Sequence, residues 1–173
     1  GIVVATPGAE PTVARGYSGL LILDTEVLLA VASLRAREEA VRRWLAAIAR
    51  TAVGAPTLLV APQDLEVVQA LVRNDLAAFA ETERAERAAA HMPPTYRCVR
   101  LRGEPAALDA WLNGFDGEVL GPLETTSGAT ALLIAALPGT AMLRRVQSIQ
   151  AARSKAGEPV VEVRVDPLDL GMG

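Results

Sequence analysis

The sequence predicts a mixed α/β chain made of two successive folding units, and three observations carry that prediction. Short continuous apolar runs, Ile2-Val3-Val4-Ala5, Leu20 to Leu23 and Thr57-Leu58-Leu59-Val60, are set around a helical pattern, as in strands of a parallel sheet covered on both faces. Met92-Pro93-Pro94 stops a helix and marks the clearest boundary in the chain. Beyond it the elements follow the order β-α-β-β-α-β, the split motif of ferredoxin-like domains, with two helices on one face of an antiparallel sheet.

Each element has a local reason. Ile2 to Ala5 ends at Thr6-Pro7-Gly8, a strand entering a loop, and Leu20 to Leu23 stops at Asp24. Ser33 is placed to cap a helix whose apolar positions Val41, Trp44, Leu45 and Ile48 recur at i, i+3, i+4 and i+7, and Gly54-Ala55-Pro56 ends it. Glu38–Arg42 and Glu39–Arg43 are i,i+4 pairs in the favourable orientation, each worth about 0.3–0.5 kcal/mol. Thr57 to Val60 completes strand–loop–strand–helix–strand, half of a doubly wound domain. Leu65, Val68, Leu71 and Val72 form the stripe of the next helix, interrupted at Asn74-Asp75. Asp75 caps a further helix to about Ala90, with Leu76, Phe79 and Ala80 inward and Glu81, Glu83, Arg84, Glu86 and Arg87 solvated.

In the second unit, Tyr96 to Leu101 reads as a strand and Glu104-Pro105 as a helix start, with Pro at its tolerated first position. Leu108, Trp111, Leu112 and Phe115 give that helix its apolar stripe. Val119-Leu120 leads into Gly121-Pro122, and Ala131 to Leu137 is an apolar strand. Pro138-Gly139 opens a helix carrying Met142, Val146 and Ile149, with Gly157 as its stop. Val161, Val163 and Val165 alternate with Glu162 and Arg164 as a half-buried strand.

Composition narrows the function by exclusion. A chain of 173 residues is one large or two small domains at the usual ~100–200 residues per domain. With 51% hydrophobic residues it has ample material for a core, and a net charge of −3, with Lys155 its only lysine, is not that of a strongly basic nucleic-acid module. One cysteine, Cys98, and one histidine, His91, do not make a disulfide framework or a zinc ribbon. Cys98 reads as a small buried hydrophobe and His91 as a helix-end residue. No run reaches the ~18 apolar residues of a membrane span and no leader pattern stands at the start, so the expected setting is cytoplasmic, away from membranes. Paired carboxylates, a Gly-rich phosphate loop and metal-ligand spacing, the marks of an independent enzyme, are missing from the sequence.

The wording of the sequence is more specific. Val3-Val4-Ala5-Thr6, then Leu21-Ile22-Leu23-Asp24, then Leu34-Arg35-Ala36-Arg37-Glu38 resembles the second helicase lobe of the primosomal protein N′ family, the PriA-type replication-restart DNA helicases. Phe79 with Glu86-Arg87 and Met92-Pro93-Pro94 resembles that family's exit from the lobe; Leu120-Gly121-Pro122 and Val165-Asp166-Pro167 resemble markers of its C-terminal domain. The resemblance implies a partial helicase lobe: residues 1–74 the C-terminal half of lobe two, 75–94 a linking helix, and 95–173 a ferredoxin-like C-terminal domain. It also implies a setting of DNA replication, replication restart and primosome assembly, with helicase, DNA-binding and ATP-binding character in the whole protein. ATP and zinc would be held outside this chain, which itself needs no cofactor.

The departures from the family are informative. Ala5-Thr6-Pro7 stands where the family has Gly-Thr-Gln, and Ala46 to Val53 stands at its Gln-x-x-Gly-Arg-x-Gly-Arg motif. Arg50 aligns with one family arginine, while Val53 takes the place of the other, so ATP-driven unwinding is expected to be lost and Arg50 to be vestigial. Asp24, Arg35 and Glu38 are the motif-bracing candidates. For Asp24 a polar strand end remains open, and for Arg35–Glu38 a simple surface pair. Tyr96, Arg97, Arg100 and Arg102 make an arginine-plus-aromatic strand that would track a DNA backbone, or else an edge strand kept soluble by charge. Arg144, Arg145 and Lys155, with Arg153, form the second cationic group. Expected partners are forked or single-stranded DNA, the acidic tail of single-strand DNA-binding protein, and other primosome components. The alternative is a protein-interaction module without DNA contact, favoured by the uncharged loop Thr125-Thr126-Ser127-Gly128.

Overall fold

A computed structural model describes residues 1–23, 25–31, 33–62, 65–126, 128–168 and 170. Mixed α/β structure is observed, with two sheets and six helices among the described residues, and the chain divides into two compact units, Gly1–Phe79 and Ala80–Gly173.

In the first unit, β1 (Leu20–Ile22) pairs in parallel with β2 (Thr57–Leu59), with Leu21 opposite Leu58. Between them run α1 (Thr25–Leu29) and α2 (Ala36–Ile48). Thr25 anchors the start of α1: its buried hydroxyl donates to the Val60 carbonyl at 2.8 Å. Helix α3 (Glu66–Arg73) follows, ending on Asn74 in the left-handed conformation that Asn tolerates better than most residues. Ala40, Val41 and Trp44 of α2 bury against Val67 and Val68 of α3 and Phe79, with Ile22 and Leu59 from the sheet packed on them.

Several expectations are corrected here. Ile2 to Ala5 forms no strand; Ile2 and Val4 are 95% and 93% exposed because neither β1 nor β2 pairs with that run. Ser33 does not cap α2. Arg35 holds the cap position, and the Ser33 hydroxyl accepts instead from the Arg35 amide, so the helix begins at Ala36. Leu45 is exposed and Ala47 takes the inward place, because the buried face centres on Trp44. Likewise Val67 rather than Val72 faces inward on α3, since Val72 lies about a quarter turn off the face shared by Val67, Val68 and Leu71.

Helix α4 (Leu76–Ala89) crosses the division between the units. Asp75 Oδ1 accepts from the Ala78 amide at 3.2 Å, the expected cap. Phe79 is buried but Ala80 is exposed, and Glu83 and Arg87 are not solvated. They are a buried i,i+4 ion pair, with Arg87 Nη2 3.1 Å from Glu83 Oε2.

The second unit follows β3 (Tyr96–Gly103), α5 (Pro105–Leu112), β4 (Glu118–Thr125), β5 (Gly128–Ala136), α6 (Thr140–Ala156) and β6 (Glu162–Val165). All pairings are antiparallel and the strand order is β4-β5-β3-β6, so β3 is a central strand and not an edge. Val99, Leu101, Ala131 and Leu133 on one sheet face join Leu108 and Trp111 of α5 and Met142, Val146 and Ile149 of α6 in one core. Trp111 satisfies its indole N–H on Gln150 at 2.9 Å, and the Gln150 amide donates to the Val161 carbonyl at 3.1 Å. On the other face Cys98, Leu132 and Ile134 are buried as well. Edge strand β4 shifts register between Leu120 and Leu123, where Gly121 has φ +99° and Pro122 has no amide hydrogen to offer.

Leu108→Ala should therefore lower unfolding free energy by about 2–5 kcal/mol, while Val72→Ala should change it by less than about 0.5 kcal/mol; urea titration followed by circular dichroism checks both.

Candidate nucleic-acid and partner interface

Two of the three strand arginines, Arg97 and Arg100, are engaged by carboxylates within their own unit. Arg97, on the helix-covered face, sets Nε 3.1 Å from Asp166 Oδ2 and lies along Gly139, where an added Cβ would come within 3.0 Å of its Cδ. Asp166 follows β6 in the left-handed region at φ +46°, and this bend turns it back onto β3. Its amide donates to the Cys98 carbonyl at 2.8 Å while its Oδ1 accepts from the Cys98 amide at 3.3 Å. Burial, with the Asp166 charge adding to it, pushes the Cys98 thiol up to about 11, so this cysteine stays protonated at neutral pH.

Arg100, Arg102 and Tyr96 share the opposite face. The Arg100 side chain is 11% exposed, with Nη2 3.8 Å from Glu162 Oε1, and the same carboxylate binds Arg164. Arg102 is exposed. Tyr96 stacks on His91, their ring centroids 4.5 Å apart at 16°, and His91 Nδ1 lies 3.2 Å from Glu118. His91 follows the end of α4 as expected, with φ +54°.

Helix α6 presents the other cations. Arg153 is buried, bound to Glu158 at 2.6 Å and to the Pro159 carbonyl, so it pins the exit of the helix. Arg145 donates to the Gly114 carbonyl at 2.6 Å. It borders a cleft of about 540 Å³ lined also by Phe115, Asp116, Ile134, Ala135 and Met142. Arg144 and Lys155 are exposed and carry no hydrogen bond or ion pair among the described residues. Eleven positions apart, they share one side of α6 at about 16 Å spacing.

In the first unit Asp24 lies outside the described residues. Arg35 Nε reaches Glu38 Oε2 at 3.2 Å, an exposed pair within the first turn of α2. Both border a cleft of about 720 Å³ that also takes in Leu28, Glu39, Arg42 and Arg43. Glu39 gathers two guanidinium groups, Arg42 and Arg43, each at 2.7 Å. Arg42, then Arg43, holds the Glu39 carboxyl down to about 2. Arg50 donates to Thr12 Oγ1 at 3.1 Å and lies 3.9 Å from Glu10. The Glu83–Arg87 pair and the Asp166 anchor were not singled out from sequence as contacts; the i,i+4 spacing was the available signal for the first.

Asp166→Ala should cost about 1–2 kcal/mol in urea, and Asp166→Gly, which keeps the left-handed backbone at ease, should recover part of that loss. A carboxylate with a lowered value stabilises above its ordinary range and loses that stabilisation as pH falls. Glu39→Gln should therefore flatten the fall in melting temperature between pH 4.5 and about 2 and leave the pH 7–8 region level.

No protein-family model matches the chain. It is 32% identical over 98% of its length to the probable replication restart protein PriA of Mycobacterium leprae, and equally identical to the proteins of that name from Mycobacterium tuberculosis and Mycobacterium bovis. The chain spans about 30% of the length of each of these relatives, so the resemblance to the replication-restart family holds across nearly all of this chain and a minority of theirs.

Proposed function

We propose that this chain is the DNA-fork and primosome-contacting part of a replication-restart protein, with ATP-driven unwinding lost. The 32% identity to replication restart proteins over 98% of the chain carries the reading. The β-α-β-β-α-β order with strands arranged β4-β5-β3-β6 supports a ferredoxin-like C-terminal domain, and the parallel pair β1–β2 beside α2 supports a partial helicase lobe. Loss of turnover is supported by Val53, fully exposed where the family has an arginine, and by Arg50, occupied with Glu10 and Thr12. In this reading ATP and zinc belong to the remainder of a longer relative, and the protein works in the cytoplasm.

With Arg97 and Arg100 committed to Asp166 and Glu162, DNA phosphates fall to Arg144 and Lys155, the cations that α6 holds out to solvent. Two phosphate contacts give a shallow salt dependence. A second reading, capture of the acidic tail of single-strand DNA-binding protein without DNA contact, is favoured by the apolar cleft beside Arg145.

Binding to a model replication fork, measured by fluorescence anisotropy from 20 to 200 mM salt, tests the first reading. The Arg144→Glu, Lys155→Glu double variant should weaken binding about tenfold at low salt and flatten the salt slope by about 1–2. Salt-insensitive or absent binding by the unaltered chain removes the DNA reading. Capture of the acidic tail peptide, abolished by Arg144→Glu with Arg145→Glu, would then carry the second.

A further inference from the structure

Residues 7–17 belong to no helix or strand, and polar contacts hold them. Arg43 Nη1 donates to the Pro7 carbonyl at 3.3 Å, and Arg50 Nη1 donates to Thr12 Oγ1 at 3.1 Å. Glu10 accepts from the Gly8 amide at 2.9 Å and stands 3.9 Å from Arg50 Nε. At the far end the Tyr17 hydroxyl donates to the Pro11 carbonyl, and Tyr17 bridges to Thr51. Apolar support is thin, since Val13 is 43% exposed. The segment is therefore fastened at its middle by one carboxylate, one hydroxyl and one arginine.

Arg50 lies in the turn just past the C-terminal end of α2, two residues beyond Ile48 and seven positions on from Arg43. Arg42 and Arg43 pair with Glu39, and Arg50 lies near Glu10, while Arg35 and Glu38 border the same cleft as Arg42 and Arg43. Displacing Glu10 therefore leaves these four arginines facing two carboxylates, an excess of positive charge that outweighs the roughly half negative charge of a helix C-terminus. We infer that residues 7–17 are a latch over this end of α2, opened by a phosphate group that takes Arg50 from Glu10 and Thr12. The inference rests on the DNA reading only for the source of that phosphate, the backbone of a single strand. The closed latch needs Glu10 ionised, and its carboxyl sits below the usual range, held by the Gly8 amide first and aided by Arg50 and Arg43.

Trypsin cleavage after the exposed Arg15, timed by mass spectrometry on the whole chain, reads the latch directly. Glu10→Gln should speed that cut about fivefold and Thr12→Val about twofold, because cleavage follows the population of the open form. Thermal melting within about 2 °C of the unaltered chain separates latch opening from unfolding, and Thr12→Val serves if Glu10→Gln melts early. In the unaltered chain at low salt, inorganic pyrophosphate and a thymidine oligonucleotide should each speed the same cut. An unchanged rate in both variants overturns the latch. Faster cutting in the variants with no response to either phosphate probe overturns its opening by phosphate. A response to pyrophosphate alone supports the latch while removing the single strand as its key.

Discussion

A central strand that carries the largely buried Arg97 and Arg100 is the constraint on which the second unit depends. Charged groups near a sheet interior persist only where neighbours supply counter-charge, because desolvation otherwise costs more than packing returns. The last strand meets that need. Glu162 comes alongside Arg100, and Asp166, bent back in the left-handed conformation, meets Arg97 and closes both backbone bonds to Cys98. The Val165-Asp166-Pro167 sequence is thus a structural clasp between the beginning and end of the unit. Its effect is one of subtraction: of the three arginines that read as a nucleic-acid track, Arg97 and Arg100 are drawn into ion pairs that hold the sheet, and Arg102 alone is exposed.

Most of the second unit was legible in the sequence because its signals are local. Glu104-Pro105, the stripe from Leu108 to Phe115, and Gly157 each act within a few residues, and the structure uses them as written. The first unit was less legible. An apolar run such as Ile2 to Ala5 has strand character but names no partner, and pairing is decided by residues far along the chain. Helix α1 was missed for a similar reason: Leu28 and Leu29 join a core that only α2 and α3 complete.

Residue types at the candidate site could be read, whereas their electrical state could not. Arg97 and Arg144 look alike in sequence; one is bound by Asp166 and the other is held out to solvent. Glu83 and Arg87 show the opposite error, a charged helix face that is buried and paired. The units also differ in what holds their loops. The second has a continuous apolar core beneath a four-stranded sheet, while the loop before β1 depends on exposed polar contacts that open at small energetic cost.

The irregularity in β4 bears on how this chain behaves in company. An uninterrupted outer strand would offer a neighbouring molecule a ladder of unmet backbone groups. Here the register slips at Gly121-Pro122, the proline cannot donate, and acidic Glu118 and Glu124 flank the kink. Stacking of one molecule on another along that rim is interrupted halfway, so this edge of the sheet is a poor template for strand-to-strand association.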